Sequence, residues 1–125
     1  MFLLRLIVTL LLSLPLTYVM AWTKLQEIEG DAYYVDISSV NYRDKTAWLR
    51  VDLRRHVNLD GVKVGSTREL MQIDCNSNAA RSLESAAFSR SGLKGNIVKT
   101  RLKPAEWRAI PPNTPLLQVR KIVCR

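Results

Sequence analysis

Hydrophobic and polar residues alternate most clearly over residues 46–54. Successive side chains of an extended strand point to opposite sides, so this period of two predicts a strand with one buried and one polar face. The predicted buried face carries Ala47, Leu49, Val51 and Leu53. The predicted opposite face carries Trp48, Arg50, Asp52 and Arg54.

A first hairpin is predicted before this strand. Residues 32–35 are aromatic and β-branched, and they would pair with residues 22–28 through a turn at residues 29–31, which include Gly30. The short polar side chains of Asp36, Ser38 and Ser39 then predict a turn or a single helical loop.

A second long strand, residues 66–75, is predicted to return antiparallel to residues 46–54. The segment between them contains Asn58, Asp60 and Gly61, so we expect a loop there. Alternation places three residues of the returning strand on its core face: Met71, Ile73 and Cys75.

The next segment, residues 79–89, is ambiguous from its residues alone. Its Ala, Arg, Leu and Glu content favours a helix, whereas its place between a strand and Gly92 suits another strand. Residues 96–102, with Ile97 and Val98, are predicted to form a further strand that ends before Pro104.

A C-terminal helix is predicted from Thr114 onwards. Thr114 and Pro115 form a good N-cap and first-turn pair, and Leu116, Val119 and Val123 recur at helical spacing. A terminal strand is the alternative, because residues 117, 119 and 123 also share a period of two.

The N-terminus has the features of a secretory signal peptide in the expected order. Arg5 precedes an apolar run over residues 6–20, and small residues precede Trp22. The run contains Pro15 and is shorter than the roughly 20 residues that a membrane-spanning helix needs, so a permanent anchor is the less favoured alternative.

We therefore predict a signal peptide over residues 1–21 and one domain over residues 22–125. The expected destination is the periplasm, with the cell surface and the medium as alternatives, and no transmembrane anchor is expected after cleavage. Trp22, and not a cysteine, follows the predicted cut, so acylation of the kind that anchors a bacterial lipoprotein is not expected.

The domain has two cysteines, Cys75 and Cys124. An even pair in a small exported chain is most simply a disulfide, which would contribute roughly 4 kcal/mol by the chain-entropy argument. The alternative of two reactive or metal-binding thiols is weak, because there is no Cys-x-x-Cys spacing and His56 is the only histidine.

Charge is distributed unevenly along the chain, which carries a formal net charge of +8. Residues 22–74 contain 8 Lys or Arg against 9 Asp or Glu, whereas residues 75–125 contain 10 against 2. A cationic second half attracts anionic partners, although scattered cations also simply keep a domain soluble. The predicted binding surface combines residues from both halves: Trp48, Arg50, Arg54, Lys99, Arg101 and Lys103.

The sequence does not indicate an enzyme. A serine or cysteine nucleophile needs a base, but the only histidine, His56, lies beside Arg54 and Arg55 in the expected loop, where it is most simply an exposed loop residue. Turns, solvent-facing positions and strand ends account for the carboxylates, and no glycine-rich phosphate loop or metal-ligand spacing is present. We predict no catalytic residue, no metal and no cofactor.

The order of several landmarks resembles the bacterial surface-adhesin protein E family. They are Trp22, the Tyr34-Val35-Asp36 segment, Trp48, the Asp74-Cys75 pair, Gly95, the stretch 107–112 and Cys124. The resemblance spans the whole predicted domain. It implies an antiparallel sheet with one helix pinned by the disulfide, which favours a strand over residues 79–89, and it implies binding of host matrix and plasma proteins.

Taken together, the patterns predict an α+β domain with a single antiparallel sheet of about five to six strands, one C-terminal helix packed on it and one disulfide. The leading functional hypothesis is a non-enzymatic binding or envelope-associated protein. The alternatives are a basic module for lipid head groups or lipopolysaccharide and a periplasmic enzyme inhibitor. The expected partner is a protein or an anionic envelope component, and nucleic acid is not expected.

Overall fold

The computed structural model describes residues 20–125, so the predicted signal peptide lies almost entirely outside the described residues. These residues form one antiparallel sheet and one helix. The elements are β1 (Trp22–Ile28), β2 (Asp31–Asp36), β3 (Thr46–Leu59), β4 (Val62–Asp74), β5 (Ala79–Arg90), β6 (Lys94–Arg101), β7 (Arg108–Ala109) and α1 (Pro115–Val123). Two short 3₁₀ turns, Ile37–Ser39 and Ser91–Leu93, join strands.

The first six strands lie side by side in chain order, and β7 pairs with the start of β5. The sheet therefore has seven strands, and the prediction of five to six was too low. The reason is that β7 is only two residues long, next to Ile110, Pro111 and Pro112. Two residues are too few to show an alternating pattern, so β7 is recognisable as a strand only because it pairs with Ala79 and Ala80 of β5.

The hairpin of β3 and β4 is longer than the sequence suggested. In place of a loop, Asp60 and Gly61 form a two-residue turn with φ values of 52° and 79°, and Leu59 pairs with Val62. Positive φ at both central positions is typical of the turn that joins two right-twisted strands. His56 therefore lies in β3 and not in a loop, and it is exposed.

The pairing of β3 with β4 is interrupted between Asp52 and Val57, where the register shifts. Beyond this irregularity, Asp52 pairs with Ser66, Arg50 with Arg68 and Trp48 with Leu70. The irregularity thus determines which residues of the two strands stand beside each other on each face of the sheet.

The helix packs on one face of the sheet, as predicted, and the terminal-strand alternative is wrong. Val119 and Val123 of α1 are completely buried against core residues of the strands. The sheet contributes Val35, Ala47, Leu49, Met71, Ile73 and Ala80, and Ile110 completes the core. The alternation predicted for β3 and β4 is confirmed for Ala47, Leu49, Met71 and Ile73, which all lie in this core, whereas Val51 and Leu53 of the predicted buried face are only partly buried.

The predicted disulfide is present. Cys75 lies directly after β4 and Cys124 directly after α1, and their Cα atoms are 5.8 Å apart. The bridge joins the end of the helix to the sheet that the helix covers. Arg120 adds a second tether, since its Nη2 donates a hydrogen bond of 3.2 Å to the Cys75 carbonyl.

Asp36 organises the turn after β2. Its carboxylate is completely buried, and Oδ1 accepts hydrogen bonds from the backbone nitrogens of Ser38 and Ala21 and from the Ser38 hydroxyl. The predicted turn at Asp36, Ser38 and Ser39 is thus a 3₁₀ turn capped by Asp36. Through Ala21, it also holds the chain immediately before β1.

Thr114 is the residue before α1, as predicted, but its side chain does not cap the helix. Its hydroxyl donates instead to the carbonyl of Pro111, at 2.8 Å. Because Pro115 has no backbone N–H, the first helical position has no donor to be satisfied. Among residues 20–125, no helix combines the length and apolar character needed to cross a membrane.

Candidate binding surface

The two faces of the sheet are covered differently. Helix α1 lies over the face that carries Leu49 and Met71, whereas neither a helix nor a second sheet of residues 20–125 covers the opposite face. Helix α1 therefore does not cover Trp48. Trp48 lies on the uncovered face and is partly exposed.

On the uncovered face, three arginine side chains lie over aromatic rings. We call it the arginine–aromatic face, defined by Trp22, Tyr34, Trp48, Arg50, Arg68, Arg81, Phe88 and Trp107. Cation–π pairs occur roughly once per 70–80 residues in proteins. Three arginines that each lie over a ring on one face of a 125-residue chain are therefore a marked concentration.

Arg50 is held on several sides. Its guanidinium carbon lies 4.4 Å from the centroid of Tyr34 and 5.8 Å from that of Trp22. Its Nε and Nη2 donate to the two oxygens of Asp52, at 2.9 and 2.5 Å. The hydrogen bond to Asp52 raises the pKa of Arg50 above its already high usual value, against the opposing effect of burial. Arg50 is thus protonated, and the negative charge of Asp52 compensates its positive charge.

Asp52 also links this face to the turn Ser91–Leu93. Its Oδ1 accepts a hydrogen bond of 3.1 Å from the backbone nitrogen of Gly92. Ser66, which pairs with Asp52 across the strands, is completely buried and bonds to the same segment. Its hydroxyl donates to the Arg90 carbonyl and accepts from the Leu93 nitrogen. The segment from Arg90 to Leu93 is therefore hydrogen-bonded to both β3 and β4 at one end of the arginine–aromatic face.

Arg68 occupies the middle of the face, opposite Arg50. Its guanidinium carbon lies 5.2 Å from the centroid of Trp48 and 5.8 Å from that of Phe88. In contrast to Arg50, it forms no salt bridge with a carboxylate of residues 20–125. Its Nε is buried and has no hydrogen-bond acceptor within the described part of the chain.

Arg81 and Trp107 extend the face towards β7. The guanidinium carbon of Arg81 lies 4.5 Å from the Trp107 centroid, and its Nε donates to the side chain of Gln72 at 2.8 Å. Trp107 is 43% exposed. A tryptophan that is stacked on one side and open on the other is available to a partner.

The structure distributes the predicted binding residues over different places. Trp48 and Arg50 belong to the arginine–aromatic face. Lys99 and Arg101 lie on the helix side of β6, because they pair with Ala87 and Ser85. Arg54 is exposed on β3 beside Gly30, and Lys103 is exposed after β6. Binding by any of these residues stays a prediction.

A cleft runs beside the start of α1 on the helix side. One part, of about 560 Å³, is lined by charged residues that include Arg101, Glu106 and Arg108. A smaller apolar part, of about 270 Å³, adjoins it and shares Glu69, Met71 and Leu116 as walls. Opposite charges line the larger part of the cleft.

Several residues of the arginine–aromatic face were not singled out from the sequence. The period of two in their strands assigns Arg68 and Phe88 to a face of the sheet. It does not show which residues of the neighbouring strands lie beside them. Tyr34 and Trp22 reach Arg50 only through the pairing of β1, β2 and β3. Within residues 20–125, no group of three or more His, Cys, Asp or Glu side chains is placed to hold a metal ion.

Comparison with known proteins identifies the family. The sequence profile described as surface-adhesin protein E matches residues 22–125. The chain belongs to the surface-adhesin protein E family. The resemblance inferred from the order of its landmarks is confirmed, and the match covers the whole predicted domain. No curated protein sequence matches the chain.

Solved structures of protein E from Haemophilus influenzae have a similar fold. The selenomethionine form of protein E from Haemophilus influenzae is similar with a TM-score of 0.54 and 17% identity, over 74% of this chain and 78% of that one. A second structure of H. influenzae protein E gives a TM-score of 0.51 and 16% identity, over 82% and 92%. At these identities the likeness establishes the fold.

Proposed function

We propose that this protein is a non-enzymatic, exported binding protein of the bacterial envelope, and that its arginine–aromatic face contacts the partner. The proposal rests on one observation: no helix or second sheet of residues 20–125 packs on this face. The helix supplies the second layer of the domain on one side only, so no second layer lies over the arginine–aromatic face, where Trp107 is 43% exposed although Phe88 is 8% exposed.

The composition of the face supports contact with a protein. Trp, Tyr and Arg dominate the binding energy of protein interfaces, because they bury large areas and also form directed hydrogen bonds. Apolar surface continues to the edge of the sheet, where Ile97 pairs with Phe88 and is 54% exposed. Exposed apolar residues next to aromatic ones are typical of interaction sites.

Membership of the surface-adhesin protein E family supports the same proposal. An adhesin-like role requires a surface that binds other macromolecules, and no helix or second sheet of residues 20–125 covers the sheet face opposite α1. The predicted export in residues 1–21 would bring this surface into the envelope, where such partners occur.

Site-specific photo-crosslinking in the native bacterium tests the proposal. A photoreactive phenylalanine analogue replaces either Trp107 on the face or Lys121, an exposed residue of α1. We expect a discrete adduct from position 107 and none from position 121. Equal labelling at both positions, or an adduct from position 121 alone, would contradict the proposal. Fractionation of the same cells then locates the adduct in the periplasm or at the surface.

A second candidate function is binding of anionic lipid head groups or lipopolysaccharide. It is favoured by one observation: of the ten cations in residues 75–125, Lys99 alone forms a salt bridge, to Asp60, within the described part of the chain. This candidate predicts binding to anionic vesicles that weakens steeply between low and physiological salt. Binding that is insensitive to salt would exclude it.

A further inference from the structure

We propose that Arg68 is the centre of a subsite that binds a carboxylate from an acidic segment of a protein partner. This inference rests on the proposed function and names the chemistry that the arginine–aromatic face recognises.

The surroundings of Arg68 leave its charge uncompensated. Trp48 and Phe88 lie against its guanidinium, and Nε is buried without an acceptor. Glu84 stands on the same face of the neighbouring strand β5, yet it forms no salt bridge with Arg68. The aromatic rings satisfy the faces of the guanidinium, but they supply no acceptor for its N–H groups.

Arg50 provides the contrast within the same structure. The two arginines are directly opposite each other across β3 and β4, a position in which like charges destabilise a sheet. Asp52 neutralises Arg50 through two hydrogen bonds, and no carboxylate of residues 20–125 does the same for Arg68. An external carboxylate on Arg68 would complete a second arginine–carboxylate pair beside the first.

The geometry suits a carboxylate in particular. A guanidinium presents N–H donors in a planar fork that matches the two oxygens of a carboxylate. Stacking between Trp48 and Phe88 restricts the orientation of the fork before the ligand arrives, which lowers the entropy cost of binding.

The charge distribution favours acidic protein side chains over a lipid surface. A membrane surface is bound by many cations on one face. Among the residues that define the arginine–aromatic face, Arg50 is neutralised, and Arg68 and Arg81 have no carboxylate within residues 20–125. Lys94 adds one further cation, next to Gly92 and Arg50. Lys99 and Arg101 point to the helix side of the sheet. One or two isolated guanidiniums amid aromatic rings match isolated carboxylates on a protein.

Poly-L-glutamate serves as the probe, titrated into the full exported chain by calorimetry at physiological salt. We expect Arg68→Gln to weaken binding by about 10-fold, the usual effect of losing a hydrogen bond to a charged group. Arg55→Gln is the matched control, because it removes the same charge from an exposed position on β3 and should change binding by less than about 2-fold. Arg68→Lys, which keeps the charge but loses the fork, should resemble Arg68→Gln.

A second measurement avoids dependence on the folding of the variants. In the unmodified protein, the Arg68 Nε–Hε resonance should shift and saturate with added glutarate, but not with sodium chloride at equal ionic strength. Equal weakening by Arg68→Gln and Arg55→Gln, or no response of Arg68 to glutarate, would overturn the inference. Arg68-dependent binding to phosphatidylglycerol vesicles without binding to poly-L-glutamate would also overturn it, in favour of a lipid.

The two proposals fail separately. If position 107 still yields its adduct in the Arg68→Gln background and poly-L-glutamate binding is unchanged, the face is an interface without this subsite. If Arg68 binds glutarate but position 107 yields no adduct, the subsite exists and the proposed function of the face is wrong.

Discussion

Cys124, the residue after helix α1, is bonded to Cys75, the residue after strand β4. Pro111 and Pro112 precede the helix, Pro115 is its first residue, and its apolar side faces the sheet. The bridge therefore holds the one element that covers the core to the layer beneath it. Without it, contacts of Val119 and Val123 and the hydrogen bond from Arg120 would remain to hold the helix.

Removal of the disulfide should destabilise the domain strongly. We expect the double variant Cys75→Ser/Cys124→Ser to lose about 3–5 kcal/mol of unfolding free energy, because the unfolded chain gains the freedom that the bridge removed. Denaturant titration with and without reductant measures the loss. Reductant should lower the midpoint of the unmodified protein and leave that of the double variant unchanged. An unchanged midpoint in both would contradict the prediction.

Two leucines provide a matched test of the core. Leu49 is 8% exposed in the core between the sheet and α1, whereas Leu102 is 78% exposed after β6. Leu49→Ala should cost about 2–5 kcal/mol, since it removes buried methyl groups and leaves a cavity. Leu102→Ala should stay within about 0.5 kcal/mol of the unmodified protein. Thermal and denaturant unfolding compare them, and similar losses would mean that the core is misplaced.

Substitutions at Gly65 and Gly61 compare the cost of a steric clash with the cost of backbone strain. A Cβ on Gly65 would lie 2.6 Å from the Arg90 carbonyl carbon and 2.7 Å from the Ser91 nitrogen, both backbone atoms. A Cβ on Gly61 would meet no atom, although its φ of +79° costs roughly 1–2 kcal/mol for other residues. We therefore expect Gly65→Ala to destabilise more than Gly61→Ala in denaturant unfolding. The reverse order would show that β4 does not pass so close to the turn Ser91–Leu93.

Asp74 makes stability depend on acidity. Hydrogen bonds from Ser77 and Asn76 lower the pKa of Asp74 below its ordinary value of 3.8. The charged form is therefore favoured in the folded state, so its stabilisation is fully present above pH 3.8 and is lost as the pH falls through the lower folded pKa. Asp74→Asn should reduce the slope of stability against pH below about 4. Urea unfolding at several pH values measures it, and parallel curves for the two proteins would refute the assignment.

The local pattern of hydrophobic and polar residues was sufficient to predict most of the strands and the helix. The period of two in residues 46–54 predicted which side of β3 faces the core, because hydrophobic and polar residues alternate along a strand that has one buried face. Helical spacing of Val119 and Val123 likewise reported the apolar side of α1. The turn at Asp60 and Gly61 was also readable, since Asp-Gly between Leu59 and Val62 is a strong hairpin signal that we read as part of a loop.

The candidate site needed the tertiary structure. If the register next to the Asp60-Gly61 turn continued, Arg50 would stand opposite Met71 of the core; the irregularity between Asp52 and Val57 brings it opposite Arg68 instead. Which strand pairs with which, and where a ladder slips, depends on contacts between distant residues. By itself the sequence therefore determined the faces, the helix and the disulfide. Only the assembled sheet decided that Arg68 lies beside Trp48 and Phe88 and pairs with no carboxylate among residues 20–125.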